Sequence, residues 1–304
     1  MDTMEARYQA IQRVLLRVLL IQVMLAGCKL GLGWHIGSLS ILSDGIHSFL
    51  DGASSVVALL AIAMASRPPD RKHPYGHRKF EVLATFALAG LLLLTCWELL
   101  GSAVERLRHP APTPVFSWWA MLFMLGTLGI TFSMSQYEKF QGEKLNSPLL
   151  IADALHARSD FLTTLVAMIA IFSAKFGLLW LDPVAAIVIV LLIGTAAYSI
   201  IHESVATVAE ENRLDVNQVQ SVVENHPEVH NAHAIRSHGM ENDIHLDLHI
   251  RIDKELTARA VFNIENEVSQ ILKKRFPGVT EVAIRHEPSD ISEDEEKQPD
   301  LFNT

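Results

Sequence analysis

The chain has 304 residues, of which 50% are hydrophobic and 19% charged, so it is more apolar than a typical soluble domain. Its charge is unevenly divided: residues 1–208 carry 14 acidic and 15 basic side chains, whereas residues 209–304 carry 20 and 10, so the formal net charge of −9 belongs to the last third. This division excludes a uniform soluble globule, a disordered chain and a basic nucleic-acid-binding protein, and it predicts a membrane-embedded part followed by an acidic soluble domain.

Six stretches are long and apolar enough to cross a bilayer, for which a helix needs about 20 residues. They are 13–34, 38–65, 79–105, 115–136, 148–174 and 181–206. Nine lysines and arginines lie on one side, namely Arg7 and Arg13 near the N-terminus and seven in the loops at 66–79 and 137–146, against three on the opposite side. By the positive-inside rule, both termini are predicted to lie in the cytoplasm. Residues 1–12 are then a cytoplasmic tail, and 13–208 form a transmembrane domain of six helices.

The last third of the chain alternates between helical and strand patterns. We predict a helix, two strands, a second helix and a third strand at 215–226, 230–238, 243–252, 257–275 and 280–286. This αββαβ order predicts a small two-layer α+β domain over residues 209–288. The polar, acidic residues 289–304 are predicted to be a disordered tail.

Two of the apolar stretches carry the same pair of ionisable residues. His47 and Asp51 stand four residues apart in the second stretch, and His156 and Asp160 repeat this spacing in the fifth. Each pair therefore shares one helix face, and the two pairs together offer a tetrahedral set of ligands for a zinc-sized cation. The alternative is a role in helix packing. It is disfavoured because each ionisable group at mid-bilayer costs about 2.5–3.5 kcal/mol on insertion scales.

With these pairs, the chain resembles the cation diffusion facilitator family, in particular its bacterial zinc and iron exporters, from about residue 10 to residue 288. Three further segments match the family: 37–42 before the first motif, 73–79 before the third stretch, and 275–278 before the last strand. The resemblance implies six transmembrane helices with a ferredoxin-like cytoplasmic domain, forming a homodimer in the bacterial inner membrane. It also places the transport site on His47, Asp51, His156 and Asp160.

The resemblance implies two further features near the cytoplasmic loop. Asp70, His73 and His77 match a second metal site, although a solvated loop could hold such residues without binding a metal. Lys79 matches a lysine that pairs with an acidic residue of the soluble domain, here Glu210, and so anchors the dimer; the alternative is an ordinary juxtamembrane positive charge.

In the soluble domain, His233, His249 and Glu287 match positions of the family's regulatory metal cluster. The match is incomplete, because two histidine positions are Phe262 and Arg285 here and His286 is displaced by one residue, which moves a side chain to the other face of a strand. We therefore expect at most one cation in this domain. An alternative ligand set is His245, Asp247 and His249, which share one face of a strand.

The composition of the predicted transport site indicates its substrate. Imidazole suits zinc and iron better than magnesium or calcium, and in the family two histidines with two aspartates are typical of zinc, whereas manganese members are richer in aspartate. Protons and metal compete for the histidines, which predicts metal–proton antiport by alternating access. An exporter of iron, manganese or cobalt, or a membrane metal sensor or scaffold without net flux, are the alternatives.

The sequence has no ATP-binding or hydrolytic motif, so we expect a protein that is not an enzyme and that has no cofactor beyond the transported and regulatory metal. Asp44 is predicted to support the ligands by packing or hydrogen bonding. Arg158 either extends toward the membrane surface or pairs with Glu98; the sequence leaves this open.

Overall fold

A computed structural model of the chain describes residues 2–36, 39–108, 118–175 and 181–290, apart from some side chains within these ranges. The chain divides into two compact units, Met1–Val205 and Ala206–Thr304. Each unit has its own hydrophobic core. The predicted disordered tail at 289–304 falls, from residue 291 onward, outside the described residues.

The first unit is built from six long helices, as predicted from the apolar stretches. They are α1 (Asp2–Ile36), α2 (Leu39–Ala65), α3 (Lys79–Arg108), α4 (Trp118–Lys144), α5 (Pro148–Lys175) and α6 (Leu181–Val208), the last of which runs into the second unit. Among the described residues, length and composition alone qualify Glu5–Leu32, Lys79–Glu105 and Pro183–Val208 as membrane spans. A shorter apolar helical segment, Asp51–Ala65, lies in α2.

Helix α1 packs along α2, and α4 packs along α5, which also contacts α3. The close approach of α1 to α2 depends on Gly45, because a Cβ atom at this position would lie 2.9 Å from the backbone nitrogen of Leu30. One core of this unit joins α1, α2, α3 and α5 through fully buried side chains such as Ile11, Ile62 and Leu150. Side chains of α2 and α5 therefore pack in the same core.

A buried ion pair links α1 and α3 to the loop between α4 and α5. The Arg7 guanidinium in α1 donates to both carboxylate oxygens of Glu81 in α3, at 3.2 Å each. It also donates to the carbonyl oxygens of Leu145 and Asn146, at 2.7 Å each. The Ser147 hydroxyl, immediately before α5, donates to Glu81 Oε1 at 2.6 Å. Glu81 is completely buried, so this network satisfies a carboxylate that water cannot reach.

The second unit has the predicted αββαβ order. Its elements are α7 (Val216–Glu224), β1 (Asn231–Met240), β2 (Asp243–Ile252), α8 (Ala258–Arg275) and β3 (Val279–Pro288). The sheet order is β1-β2-β3, with β1 antiparallel and β3 parallel to the central strand. Leu246, Leu248 and Ile250 are fully buried on one face of β2, so the alternating polar residues of this strand lie on its other face.

Local sequence determines where these elements begin and turn. The side chains of Asp215 and Thr257 cap α7 and α8 by accepting backbone N–H groups of their first turns. Gly278 precedes β3 with φ +104°, and a side chain there would collide with the carbonyl oxygen of Glu241. This glycine allows β3 to enter the sheet beside the β1–β2 turn.

Candidate metal centres

The two predicted motifs of the membrane unit meet between α2 and α5. The Asp51 carboxylate lies 3.6 Å from His156 Nε2, and the Asp160 carboxylate lies 4.0 Å from the same nitrogen. One ligand atom from each of the three residues lies within 4.8 Å of the others. Two ligands of a tetrahedral zinc ion, each about 2.1 Å from the metal, would be roughly 3.4 Å apart, so the donor atoms must move closer to one another to form a ligand shell.

The burial of His156 also fits a metal ligand. His156 is 7% exposed, and its Nε2 atom is buried without a hydrogen bond among the described residues. Its distances to the two carboxylates are longer than those of a hydrogen bond. A buried imidazole nitrogen that faces two carboxylates without hydrogen-bonding to them is available to coordinate a cation.

The other residues predicted near this group are less fully described. His47 and Asp44 lie in α2, within two turns before Asp51, but their side chains are outside the described part of the structure. The fourth ligand therefore stays a prediction. Arg158 is exposed, and no ion pair joins it to Glu98 among the described residues, which favours extension away from the metal group.

A cavity of about 60 Å³ lies beside the carboxylates of Asp51 and Asp160. Its wall includes the buried Lys29 of α1, whose ammonium group donates to the Ser48 hydroxyl at 2.8 Å. Four threonines also line it: Thr127, Thr131, Thr163 and Thr164. A polar cavity of this size has room for a few water molecules and so can solvate an arriving ion. Sequence reasoning missed Lys29, although a lysine inside an apolar run is a recognisable signal.

The loop between α2 and α3 brings Asp70, His73 and His77 together, as the family resemblance implied. Asp70 accepts the backbone N–H groups of His73 and Lys72, at 2.7 and 2.8 Å. The hydrogen bond from His73 is the main cause that holds the pKa of the Asp70 carboxyl below its ordinary value, against a smaller opposing effect of burial. His77 Nε2 lies 3.5 Å from the same carboxylate, and its Nδ1 is buried without a hydrogen bond among the described residues. An ionised carboxylate and two clustered imidazoles are a suitable donor set for zinc.

The soluble unit brings His233, His249 and Glu287 together on three neighbouring strands. The histidines are directly paired across β1 and β2. The Glu287 carboxylate of β3 lies 3.2 Å from His233 Nε2 and 2.8 Å from His249 Nδ1. A single carboxylate between two imidazoles offers three ligands for one cation. The number of cations bound here stays a prediction.

Three residues of the alternative sets lie apart from this group. His286 is paired in register with the buried Ile250, and its Nδ1 lies 2.8 Å from a carboxylate oxygen of Glu265 in α8. The one-residue displacement thus directs it to the helix-covered face. His245 contacts Glu281 at 3.1 Å, and the exposed Asp247 lies between it and His249 along β2. His245 therefore contacts Glu281, whereas His249 contacts Glu287. The alternation of the strand predicted only that both histidines lie on the same face.

The predicted salt bridge between Lys79 and Glu210 would join the two units. Lys79 is the first residue of α3, and Glu210 follows α6 with φ +59°. Their pairing stays a prediction.

Comparisons with known proteins agree with this organisation. The family model described as the cation efflux transmembrane domain matches residues 15–208, and the one for the cytoplasmic domain of cation efflux proteins matches residues 212–289. The chain is 32% identical to an uncharacterized transporter of Methanocaldococcus jannaschii, over 83% of this chain and 89% of the relative. It is 27% identical to the manganese efflux system protein MneP of Bacillus subtilis, over 93% and 97% of the two chains. It is 26% identical to the cation-efflux pump FieF of Shewanella oneidensis, over 86% and 88%.

Proposed function

We propose a substrate and a mechanism for this chain, which belongs to the cation diffusion facilitator family and is a multi-pass membrane transporter for the efflux of divalent metal cations, not an enzyme. Its substrate is Zn²⁺ or Fe²⁺, which it exports from the cytoplasm in exchange for protons by alternating access. The transport site consists of Asp51, His156 and Asp160, with His47 as the fourth ligand. The observation that carries this proposal is the convergence of the first three residues on one point between α2 and α5.

The choice of metal rests on the imidazole of this group. Nitrogen ligands suit zinc and ferrous iron, whereas oxygen ligands suit manganese, magnesium and calcium. Manganese is the second candidate, because relatives of this chain include proteins named as manganese efflux systems. Zinc and ferrous iron prefer nitrogen ligands more than manganese does, so substitution of the histidines distinguishes these candidate substrates.

Exchange with protons follows from competition at one atom. A proton on His156 Nε2 and a metal ion on the same nitrogen exclude each other, and both are attracted by the carboxylates of Asp51 and Asp160. Metal that arrives from the cytoplasm releases the proton, and a proton that arrives from outside displaces the metal. Because the site holds either the metal or the proton, their movements are coupled.

The assembly we propose is a homodimer in the bacterial inner membrane, with both termini in the cytoplasm. The matched cytoplasmic domain supports dimerisation, and the excess of lysine and arginine on one side of the membrane supports the orientation. The acidic soluble unit would then attract divalent cations toward the cytoplasmic entrance.

Uptake into proteoliposomes under an imposed pH gradient tests the proposal. We expect saturable Zn²⁺ uptake that depends on the gradient and falls at least about tenfold in Asp160→Asn, because one charged ligand is lost. His202→Ala is the matched control, because this exposed histidine of α6 lies outside the donor groups of the described residues. Saturable binding without flux in the wild-type protein would contradict transport and favour a sensor.

The identity of the metal is tested by changing the nitrogen ligand to oxygen. His156→Asp should lower the ratio of Zn²⁺ to Mn²⁺ flux, since it converts the site to oxygen ligands. Wild-type protein that carries Mn²⁺ in preference to Zn²⁺, with a ratio unaffected by this substitution, would assign the chain to manganese.

A further inference from the structure

A buried lysine lies in the wall of the cavity beside the membrane metal group. Lys29 of α1 is 9% exposed, and its ammonium group donates to the Ser48 hydroxyl of α2 at 2.8 Å. A lysine side chain normally carries a positive charge at neutral pH, and such a charge is costly inside a membrane helix. This cost indicates that Lys29 does more than join α1 to α2.

The same cavity contains two negatively charged groups, the carboxylates of Asp51 and Asp160. Their side chains are 16% and 28% exposed, so solvent compensates their charges only in part. Ser48 precedes Asp51 by three residues on α2, which places both on one face of the helix, about one turn apart. The hydrogen bond to Ser48 therefore holds the ammonium group of Lys29 close to the proposed ligands.

The rest of the cavity wall is neutral. Of the described residues that line the cavity, Lys29 alone has a cationic side chain. The hydroxyls of the four threonines in the wall each donate to a backbone carbonyl oxygen of their own helix, at 2.9 or 3.0 Å. A hydroxyl has a single hydrogen, so these threonines present oxygen atoms to the cavity and cannot also donate to the carboxylates. The positive charge in this wall therefore comes from Lys29.

We propose that Lys29 is a tethered counter-ion of the transport site. Its positive charge compensates the Asp51 and Asp160 carboxylates while no metal is bound, and it repels a divalent cation that binds beside it. The site therefore holds the metal less tightly than its ligands alone would, and the ion can leave. This role rests on the proposed function, because it assumes that Asp51 and Asp160 bind the transported metal.

The affinity for zinc in detergent tests this role, because the direction of the change separates an effect of charge from an effect of packing. The full chain would carry Asp70→Ala and His233→Ala, which remove one ligand from each of the other two donor groups. In this background, Lys29→Met should bind Zn²⁺ at least about tenfold more tightly, since a unit charge within about 10 Å of a dication acts strongly in a protein interior. Lys29→Arg retains the charge and should keep the affinity of the background protein.

The matched control is Arg13→Met, which removes an exposed positive charge from the same helix. Arg13 lies about 24 Å from Lys29 along α1, so its loss should leave the affinity for zinc unchanged. An affinity that is unchanged or weaker in Lys29→Met would overturn the proposal, because removal of a lysine that only joins α1 to α2 would give that result. If Lys29→Met does not fold, Lys29→Gln removes the same charge, keeps a polar side chain and carries the same expectation.

Transport kinetics test the release of the ion. In proteoliposomes, Lys29→Met should lower both the KM for Zn²⁺ and the maximal rate, since an ion that is held more tightly leaves more slowly. A higher KM would contradict the proposal. A wild-type protein that binds zinc without flux would instead refute the proposed export, and the zinc affinity of Lys29→Met would still decide whether Lys29 acts on the bound metal.

Discussion

Removal of the imidazole from the membrane group is the perturbation that tests the transport site most directly. His156 supplies the only nitrogen ligand among the described side chains of this group, and it lies between two carboxylates. A four-ligand zinc site contributes about 10–16 kcal/mol of binding free energy, so one ligand of four is worth roughly 2.5–4 kcal/mol. His156→Ala should therefore weaken zinc binding by roughly 60- to 700-fold, since each 1.4 kcal/mol is a factor of about ten.

The measurement requires that the donor groups of the loop and of the soluble unit bind no zinc. We would introduce His156→Ala into a background that carries Asp70→Ala and His233→Ala, which removes one ligand from the loop group and one from the soluble unit. Zinc affinity in detergent is then determined by competition with a chelating dye. His202→Ala in the same background controls for the loss of an unrelated histidine.

A loss of affinity below about tenfold, or 1.4 kcal/mol, would contradict this prediction, because it would mean that the metal does not bind the imidazole. An equal loss in the His202→Ala control would also contradict it, since the effect would then arise from general destabilisation.

Three further predictions concern contacts within the soluble unit or within the membrane unit. Glu287→Gln should weaken zinc binding to the soluble unit at least about tenfold, because its carboxylate contacts both histidines of that group; equilibrium dialysis of the full chain measures this, and unchanged binding would exclude Glu287 as a ligand. Arg7→Met should lower the free energy of unfolding of the membrane unit by about 3–5 kcal/mol, because the buried Glu81 carboxylate loses its cation. The midpoint of thermal unfolding in detergent reports this loss, and an unchanged midpoint would contradict it. Gly278→Ala should destabilise the soluble unit by about 1–3 kcal/mol, because its positive φ disfavours a side chain and the added Cβ meets the Glu241 carbonyl. Hydrogen exchange in β2 and β3 should then be faster; unaltered protection would show that the turn adjusts without cost.

The order of the elements was predictable from the sequence because it depends on local patterns. Long apolar runs indicated six helices, and the alternation of polar and apolar residues in β2 identified its buried face. The four-residue spacing within each motif likewise predicted that Asp160 and His156 share a helix face. Periodicities of this kind are properties of short segments, so they need no knowledge of the rest of the fold.

The composition of each group of side chains depends on packing between distant segments. The tertiary structure brings Asp51 to His156, and it separates His245 from His249, although both occupy one strand face. It also directs His286 to the helix-covered side of the sheet.

The sequence by itself therefore determined the elements, the faces of the two motifs and the family resemblance. Which side chains are close enough to share a metal ion follows only from the tertiary structure, since that depends on distances of a few ångströms between elements that local patterns do not specify.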